Sequence, residues 1–353
     1  MNANIEMLSE FSIKCFTKLG MPEKDAKTVT ETMVTADLRG IHSHGFIRLP
    51  IYVKRIQKGF IKADTEITVE NETDTMALLN GNFSAGQVIG KKTMETAIEK
   101  AKKAGIGLAV AKNSNHFGIA AHYATMAAEQ NMIGIVMSNV EPLMPAIGGA
   151  EKIIGNNPIA IAAPSKNEQN PIVLDMALSN APLGKILVAQ SKGDSIPDGW
   201  GVDKEGRPTN DPSDVLDGGF LYPVGGPKGF GLAIIAEILT GVLAGSQFSK
   251  DIPSMYDLQE KQSISHFMLA IDVSVFGAPE EFNDRMSILS SFVKNTRKAS
   301  GVTETYLPGE IEFSRENNNR NIGIPIEENV LNDLKAVADE LEIEFPISLI
   351  QTT

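Results

Sequence analysis

Asp37-Leu-Arg-Gly-Ile-His-Ser-His-Gly-Phe-Ile-Arg-Leu-Pro-Ile-Tyr52 packs two histidines, two arginines, a serine and a tyrosine between two glycines and a proline. It lies between two segments of helical apolar periodicity. Imidazole is the side chain best poised to move protons near neutral pH. Guanidinium is the group best shaped to grip a carboxylate through two parallel hydrogen bonds. In an extended turn, His44 and Arg48 lie close enough to address one small acid together. The plainer reading is a solvated interhelical turn flanked by Arg39 and Arg48, with the histidines as satisfied surface groups.

Outward from this stretch, Ile5, Leu8, Phe11, Cys15, Phe16 and Leu19 recur at helical spacing over 5–19. Gly20 and Pro22 interrupt the pattern and start a second helix over 22–38. A third, over 49–58, stops at Gly59. The first 60 residues therefore read as a small helical unit. Beyond them the pattern alternates: strand character over 65–80, a helix over 86–104 stopped by Gly105, and a strand at 107–111. A helix over 119–130 and a strand at 133–138 follow. This alternation predicts an α/β or α+β core with a mixed sheet. Residues 139–230 are rich in Gly, Pro and Asn. Short strands at 159–163 and 172–174 and a helix at 182–192 lie among loops, where ligand-binding groups usually sit. Helix 229–244 is apolar almost all round, which predicts burial. A core strand at 268–272 and helices at 279–298 and 327–341 close the chain. The Asn-rich run Glu316–Asn321 reads as a mobile loop.

The bulk numbers limit the function. A chain of 353 residues is too long for one ordinary core, so two or three domains are expected. It is 42% hydrophobic and 22% charged, as soluble globular proteins are. A net charge of −12 without a long basic run argues against nucleic acid as a partner, so a small anionic substrate needs a local basic site. The single cysteine, Cys15, has no partner for an intramolecular disulfide or a zinc cluster. No basic or apolar leader is visible, and no apolar run reaches membrane-spanning length. The longest, Gly231–Gly245, carries Glu237. A cytoplasmic enzyme or binding protein with no membrane partner is the expectation.

Several motifs narrow the chemistry. The dinucleotide fingerprint Gly-x-Gly-x-x-Gly after a strand is absent, and so is a complete Walker loop. Gly226-Pro-Lys-Gly-Phe-Gly231 opens helix 229–244 with Lys228 at a helix start. That arrangement suits a phosphate, or is simply a glycine-rich entry to a buried helix. Asn113-Ser-Asn-His-Phe-Gly118 sets His116 between a strand and a helix start, as an active-site group or as a neighbour of the cap. His122 and His266 read as structural. Asp175 ends an apolar strand, where a carboxylate can orient an imidazole or cap a turn. His42 and His44 could open a metal site, but no matching partner stands at useful spacing. No metal is therefore expected.

Together, Asp37-Leu-Arg-Gly-Ile-His-Ser-His-Gly-x-x-Arg48, Asn115-His-Phe-Gly118, Gly155-Asn-Asn-Pro-Ile159, Asp175-Met-Ala, Ile196-Pro-Asp-Gly-Trp200, Gly206-x-Pro-Thr-x-Asp-Pro212 and Gly226-Pro-Lys-Gly-Phe-Gly231 occur in order. This series resembles the malate/L-lactate dehydrogenase family, over about residues 5 to 310. That family also holds sulfolactate, ureidoglycolate and diketogulonate oxidoreductases and cyclic imine reductases. The resemblance implies a homodimeric enzyme using NAD or NADP on a fold that is not the Rossmann fold. It implies a helical domain built from both chain ends (1–70 plus 278–353) and a mixed-sheet cofactor and substrate domain (71–277). His44 resembles the acid/base and Arg48 the carboxylate clamp. His116 lies beside the substrate and is the base in some relatives. Asp175 would orient a histidine or meet the nicotinamide ribose. Leu174, Asp175, Met176, Ala177 and Ser179, with Lys228, Gly229, Pro308, Gly309 and Glu310, resemble the cofactor contacts. Asn139 matches a further position on the nicotinamide side, although Asn139–Pro145 departs from the usual small-residue run and Glu141 adds a charge. The expected function is hydride transfer between nicotinamide and a small 2-hydroxy acid of the malate or L-lactate type. The alternatives are ureidoglycolate oxidation or cyclic imine reduction in the same family, and, from another class, a metal-dependent hydrolase using His42 and His44.

Overall fold

The computed structural model describes residues 2–165, 170–346 and 350–351. Helix α1 (Ile5–Lys18) starts where the Asn4 side chain accepts the Met7 N–H at 3.0 Å, and buries Leu8, Phe11, Cys15 and Phe16 on one stripe. Burial pushes the Cys15 thiol up to about 12, so it is an inert core group. Helix α2 (Glu23–Leu38) begins after Pro22, and helix α3 (Leu49–Gln57) follows two short 3₁₀ turns at 42–48. These helices share a core with residues from the far end of the chain, including Ile324, Leu331 and Leu334. The strand Asn2–Ala3 pairs antiparallel with Ile324–Pro325 and with Ile350–Gln351, and Pro325 and Ile326 line one cavity with His42 and Ser43.

The centre is a seven-stranded mixed sheet of β1 (Thr68–Glu72), β2 (Met76–Asn80), β3 (Ile106–Ser114), β4 (Met132–Ser138), β5 (Ile159–Ala163), β6 (Ile172–Met176) and β7 (Ile264–Asp272). Their spatial order is β1-β2-β3-β7-β4-β5-β6. Only β2 and β3 run parallel, and helix α4 (Gly86–Ala104) makes the crossover that a parallel pair requires. Every other pair is antiparallel. Helix α5 (Ala120–Ala128) covers the same core. Ala109, Ala111, Ala124, Ala127, Ala160 and Ala162 line it, small residues that let helices approach the sheet closely. The fold is thus the expected α/β mixture around a mixed sheet. No helix among the described residues is long and apolar enough to cross a membrane.

Two local expectations are overturned. After α6 (Leu183–Lys192), helix α7 (Pro227–Glu237) runs on through a π turn at 238–242, and it is not buried all round. Its small residues, Gly229, Ala233, Ala236, Thr240 and Gly241, face the protein. Leu232, Ile235, Ile238, Val242 and Leu243 stay 46–55% exposed. Residues 316–321 are not a loop. After α8 (Pro279–Lys294) they lie inside helix α9 (Glu310–Ile322), before α10 (Glu328–Glu340). Asparagine favours helices weakly, but tertiary bonds prevail here. Buried Asn319 donates to the Leu38 carbonyl at 2.9 Å, and Glu316 pairs with Arg39 at 2.8 Å and Arg320 at 2.6 Å.

Candidate active site

The His-Ser-His turn is built on Asp37. This buried carboxylate accepts the Phe46 N–H at Oδ2 (2.8 Å) and bonds to His42 Nδ1 at Oδ1 (2.9 Å). Gly45 is required beside it, because a Cβ there would lie 2.1 Å from the carboxyl carbon. The bond to Asp37 raises the His42 pKa, while burial raises that of Asp37 itself. His42 thus braces the turn.

His44, from the turn, and His116, from the loop between β3 and α5, stack with ring centroids 5.3 Å apart and planes 25° from parallel. Their environments differ. His44 Nδ1 lies 2.8 Å from Ser43 Oγ. His116 Nδ1 lies 2.7 Å from the Tyr52 hydroxyl and also receives the Gly118 main-chain N–H at 3.4 Å. A main-chain N–H can only donate. The network therefore assigns Nδ1 of His116 as an acceptor and places the proton of its neutral ring on Nε2. Burial and the Arg48 charge push His44 down to about 3, and the same causes hold His116 well below the usual range. Both imidazoles are neutral at physiological pH. A Cβ on Gly86 would come 2.2 Å from the Asn115 carbonyl oxygen, so the start of α4 sits directly against the His116 loop. Beneath that loop, His266 is held between Ser114 Oγ (2.7 Å) and Ser138 Oγ (3.0 Å) and stacks on Phe117. His122 packs edge-on to Tyr123, away from the stacked pair.

Arg48 reaches the same cleft. Its Nε donates to the Ser43 carbonyl at 2.7 Å, and Nη1 meets the Tyr256 hydroxyl at 2.5 Å and Met255 Sδ at 3.2 Å. These contacts fix the plane of the guanidinium before any substrate arrives.

The segments expected to hold a cofactor converge around β6. Val173 N–H donates to the Pro308 carbonyl (3.0 Å), and Val224 N–H donates to the Leu178 carbonyl (2.9 Å). Ser179 bridges to Pro223, and its hydroxyl donates to the Ala181 carbonyl. Leu174, Asp175, Pro308 and Gly309 line a cavity of about 290 Å³, and an adjoining one of about 320 Å³ shares Leu307, Pro308 and Phe313. Asp175 Oδ2 accepts the Ala121 N–H at 3.0 Å, and among the described residues no side chain donates to Oδ1. The low-polarity surroundings raise this carboxyl to about 6. A carboxylate with an unclaimed oxygen in such a cavity suits the hydroxyls of a ribose, so the residues fit a nicotinamide nucleotide.

The other expected residues have these surroundings. Asp175 bonds to a main-chain N–H and to no histidine. The Glu310 carboxylate turns back to the Leu307 N–H (2.8 Å) and Lys294 (2.6 Å) and shapes the 307–310 loop. The Asn139 side chain is buried, bonded to Glu237, the Gln247 carbonyl and the Ser265 N–H. Met176 packs against the core around Leu178, with Ala177 beside it on the chain. Lys228 is exposed on the first turn of α7, and Gly229 packs against Val224. Among the described residues no three His, Cys, Asp or Glu side chains are grouped to hold a metal, and the hydrolase reading finds no support.

The sequence singles out neither Met255 nor Tyr256, and it gives Tyr52 no role of its own. Tyr52 lay within the quoted stretch, at the end of its helical turn from Arg48. Tyr256 carried no signal, since it meets Arg48 only through folding across 208 residues.

Known proteins resemble this chain over most of its length. A family model described as malate/L-lactate dehydrogenase matches residues 3–335. A malate dehydrogenase from Pyrococcus abyssi is 42% identical over 344 residues, covering 96% of this chain and 94% of that protein. An Escherichia coli ureidoglycolate dehydrogenase (NAD(+)) is 35% identical over 311 residues, 88% of each chain. The solved structure of the sulfolactate dehydrogenase from Methanocaldococcus jannaschii superposes with a TM-score of 0.92 at 38% identity, covering 98% of both chains.

Proposed function

The chain belongs to the malate/L-lactate dehydrogenase family, and on that premise we propose that its cleft moves hydride between a nicotinamide cofactor, NAD or NADP, and a small 2-hydroxy acid of the malate or L-lactate type. The observation that carries this reading is the stacked His44–His116 pair beside the fixed guanidinium of Arg48. Arg48 holds the substrate carboxylate. Ser43 Oγ, 2.8 Å from His44 Nδ1, can accept an Nδ1–H, and in that tautomer the Nε2 lone pair is the base for the substrate hydroxyl. His116, with its proton on Nε2, donates a hydrogen bond to the same oxygen. In reduction, protonated His44 returns the proton to the 2-oxo group. Leu174, Asp175, Lys228, Gly229, Pro308 and Gly309 hold the cofactor, which supplies the hydride acceptor and donor. Ureidoglycolate or a cyclic imine is the alternative substrate within the family.

The pH dependence tests the assignment. Oxidation needs neutral His44, and reduction needs it protonated. Because the pKa of His44 is lowered from 6.5 to about 3, kcat/KM for oxidation is expected to stay flat as pH falls through 6.5 and to decline only in more acid solution. The same parameter for reduction is expected to fall as pH rises. Two parallel profiles with a common midpoint near 6.5 would contradict the role of His44.

The exposed apolar face of α7 supports a homodimer. Five large side chains lie open there, and within 229–244 the one charged residue, Glu237, points inward to Asn139 and Asn157, while exposed Lys228 stands at the helix start. Sedimentation at about twice the 38.0 kDa chain mass is expected. A monomer would remove this part of the reading.

A further inference from the structure

The loop carrying Met255 and Tyr256 is fixed from behind and open in front. Buried Arg55 donates through Nη1 to the Met255 carbonyl (3.0 Å) and the Asp257 carbonyl (3.2 Å). Gln262 holds the Pro253 carbonyl at 2.8 Å, and Ser254 Oγ donates to Glu141 at 3.3 Å. Met255 is buried, whereas Tyr256 is 63% exposed and its ring centroid lies 5.7 Å from the Arg48 guanidinium carbon. A large aromatic residue, solvent-exposed but on a pinned loop and with its hydroxyl against a candidate substrate-binding arginine, is placed to meet a ligand.

The donor count on Arg48 says how. Nε is engaged by the Ser43 carbonyl, and Nη1 by Tyr256 and Met255. Among the described residues only Nη2 is without a partner, so the guanidinium alone cannot offer an incoming carboxylate an unused pair of nitrogens. The phenolic oxygen of Tyr256 accepts from Nη1–H, which leaves its own O–H free to donate. A hydroxyl that accepts from a cation is polarised into a stronger donor.

We propose that Tyr256 is a substrate-binding residue, whose hydroxyl and Arg48 Nη2 together form the two-donor clamp for the substrate carboxylate. The proposal rests on the reading of Arg48 as the carboxylate-binding group. It adds a residue and names the chemistry selected: a monocarboxylate head presented edge-on to a guanidinium–phenol pair.

The test compares the full chain and Tyr256→Phe, both loaded with reduced nicotinamide, in calorimetric titrations with oxamate and with its carboxylate-free counterpart oxamide. An exposed tyrosine tolerates loss of one hydroxyl, so folding is not at stake. Loss of a hydrogen bond to a charged group is expected to raise the oxamate Kd between about 10- and 100-fold, with no change for oxamide. An unchanged oxamate Kd would overturn the proposal, as would equal weakening of both probes, or a wild-type chain that does not bind oxamate. These titrations need no turnover. A chain that binds oxamate through Tyr256 but reduces no 2-oxo acid would overturn the dehydrogenase reading and leave the clamp standing.

Discussion

His44→Ala is expected to lower kcat by about 100- to 10,000-fold, the usual contribution of a positioned acid/base, while the affinity for reduced nicotinamide stays unchanged. The separation follows from where the ring sits. His44 touches Ser43 and His116 and faces Arg48. The cavity assigned to the cofactor is lined instead by Asp175, Pro308 and Gly309. Removing the imidazole leaves the Asp37–His42 brace and Gly45 intact, so the turn keeps its shape. The acid decline of the oxidation profile that His44 causes is lost with the ring. Stopped turnover with intact cofactor binding is the signature of a group that moves the proton. Undiminished turnover in His44→Ala would transfer the acid/base role to His116, which would then need the opposite tautomer to the one its contact with Gly118 assigns.

Arg48→Lys is expected to raise KM for the acid by about 10- to 100-fold with a smaller change in kcat, the range for losing charge-assisted hydrogen bonds. Charge is conserved in this substitution, so a purely electrostatic role would show little effect. What lysine cannot reproduce is the fork. Nε and Nη1 bind the Ser43 carbonyl and the Tyr256 hydroxyl at once, holding the guanidinium plane, and Nη2 is left for substrate. An ammonium rotates freely and meets one partner at a time. Cofactor affinity should not move. A KM within about twofold of wild type would mean that Arg48 acts only as a charge, and the directional clamp would be abandoned.

Much of this arrangement was legible before folding was considered. The turn from Asp37 to Tyr52 announced itself by density, since so many polar groups between two apolar-periodic helices have no packing explanation. The sheet and its helices were legible because β4 alternates buried and partly buried residues along its length and α4 ends at Gly105 in the left-handed conformation. What failed, failed for tertiary reasons. Asn319 looks like a loop residue until Leu38 offers it a buried carbonyl. Helix α7 looks buried because composition cannot say which face carries its small residues. Tyr256 and Met255 looked like any loop, because the partner that gives them meaning is Arg48, on the far side of the sequence. Glu310 matched a family position, yet its carboxylate folds its own loop. A motif places a residue near a ligand more reliably than it says which atom does the work.

The central claim is that this chain transfers hydride to and from the carbinol carbon of a 2-hydroxy acid. The most direct measurement is reduced-nicotinamide absorbance on mixing the chain with NAD or NADP and malate, L-lactate, sulfolactate or ureidoglycolate, together with the reverse reaction on the matching 2-oxo acids. The account predicts absorbance that grows with at least one acid and one cofactor and disappears in His44→Ala. No change in either direction with any of the acids would contradict it.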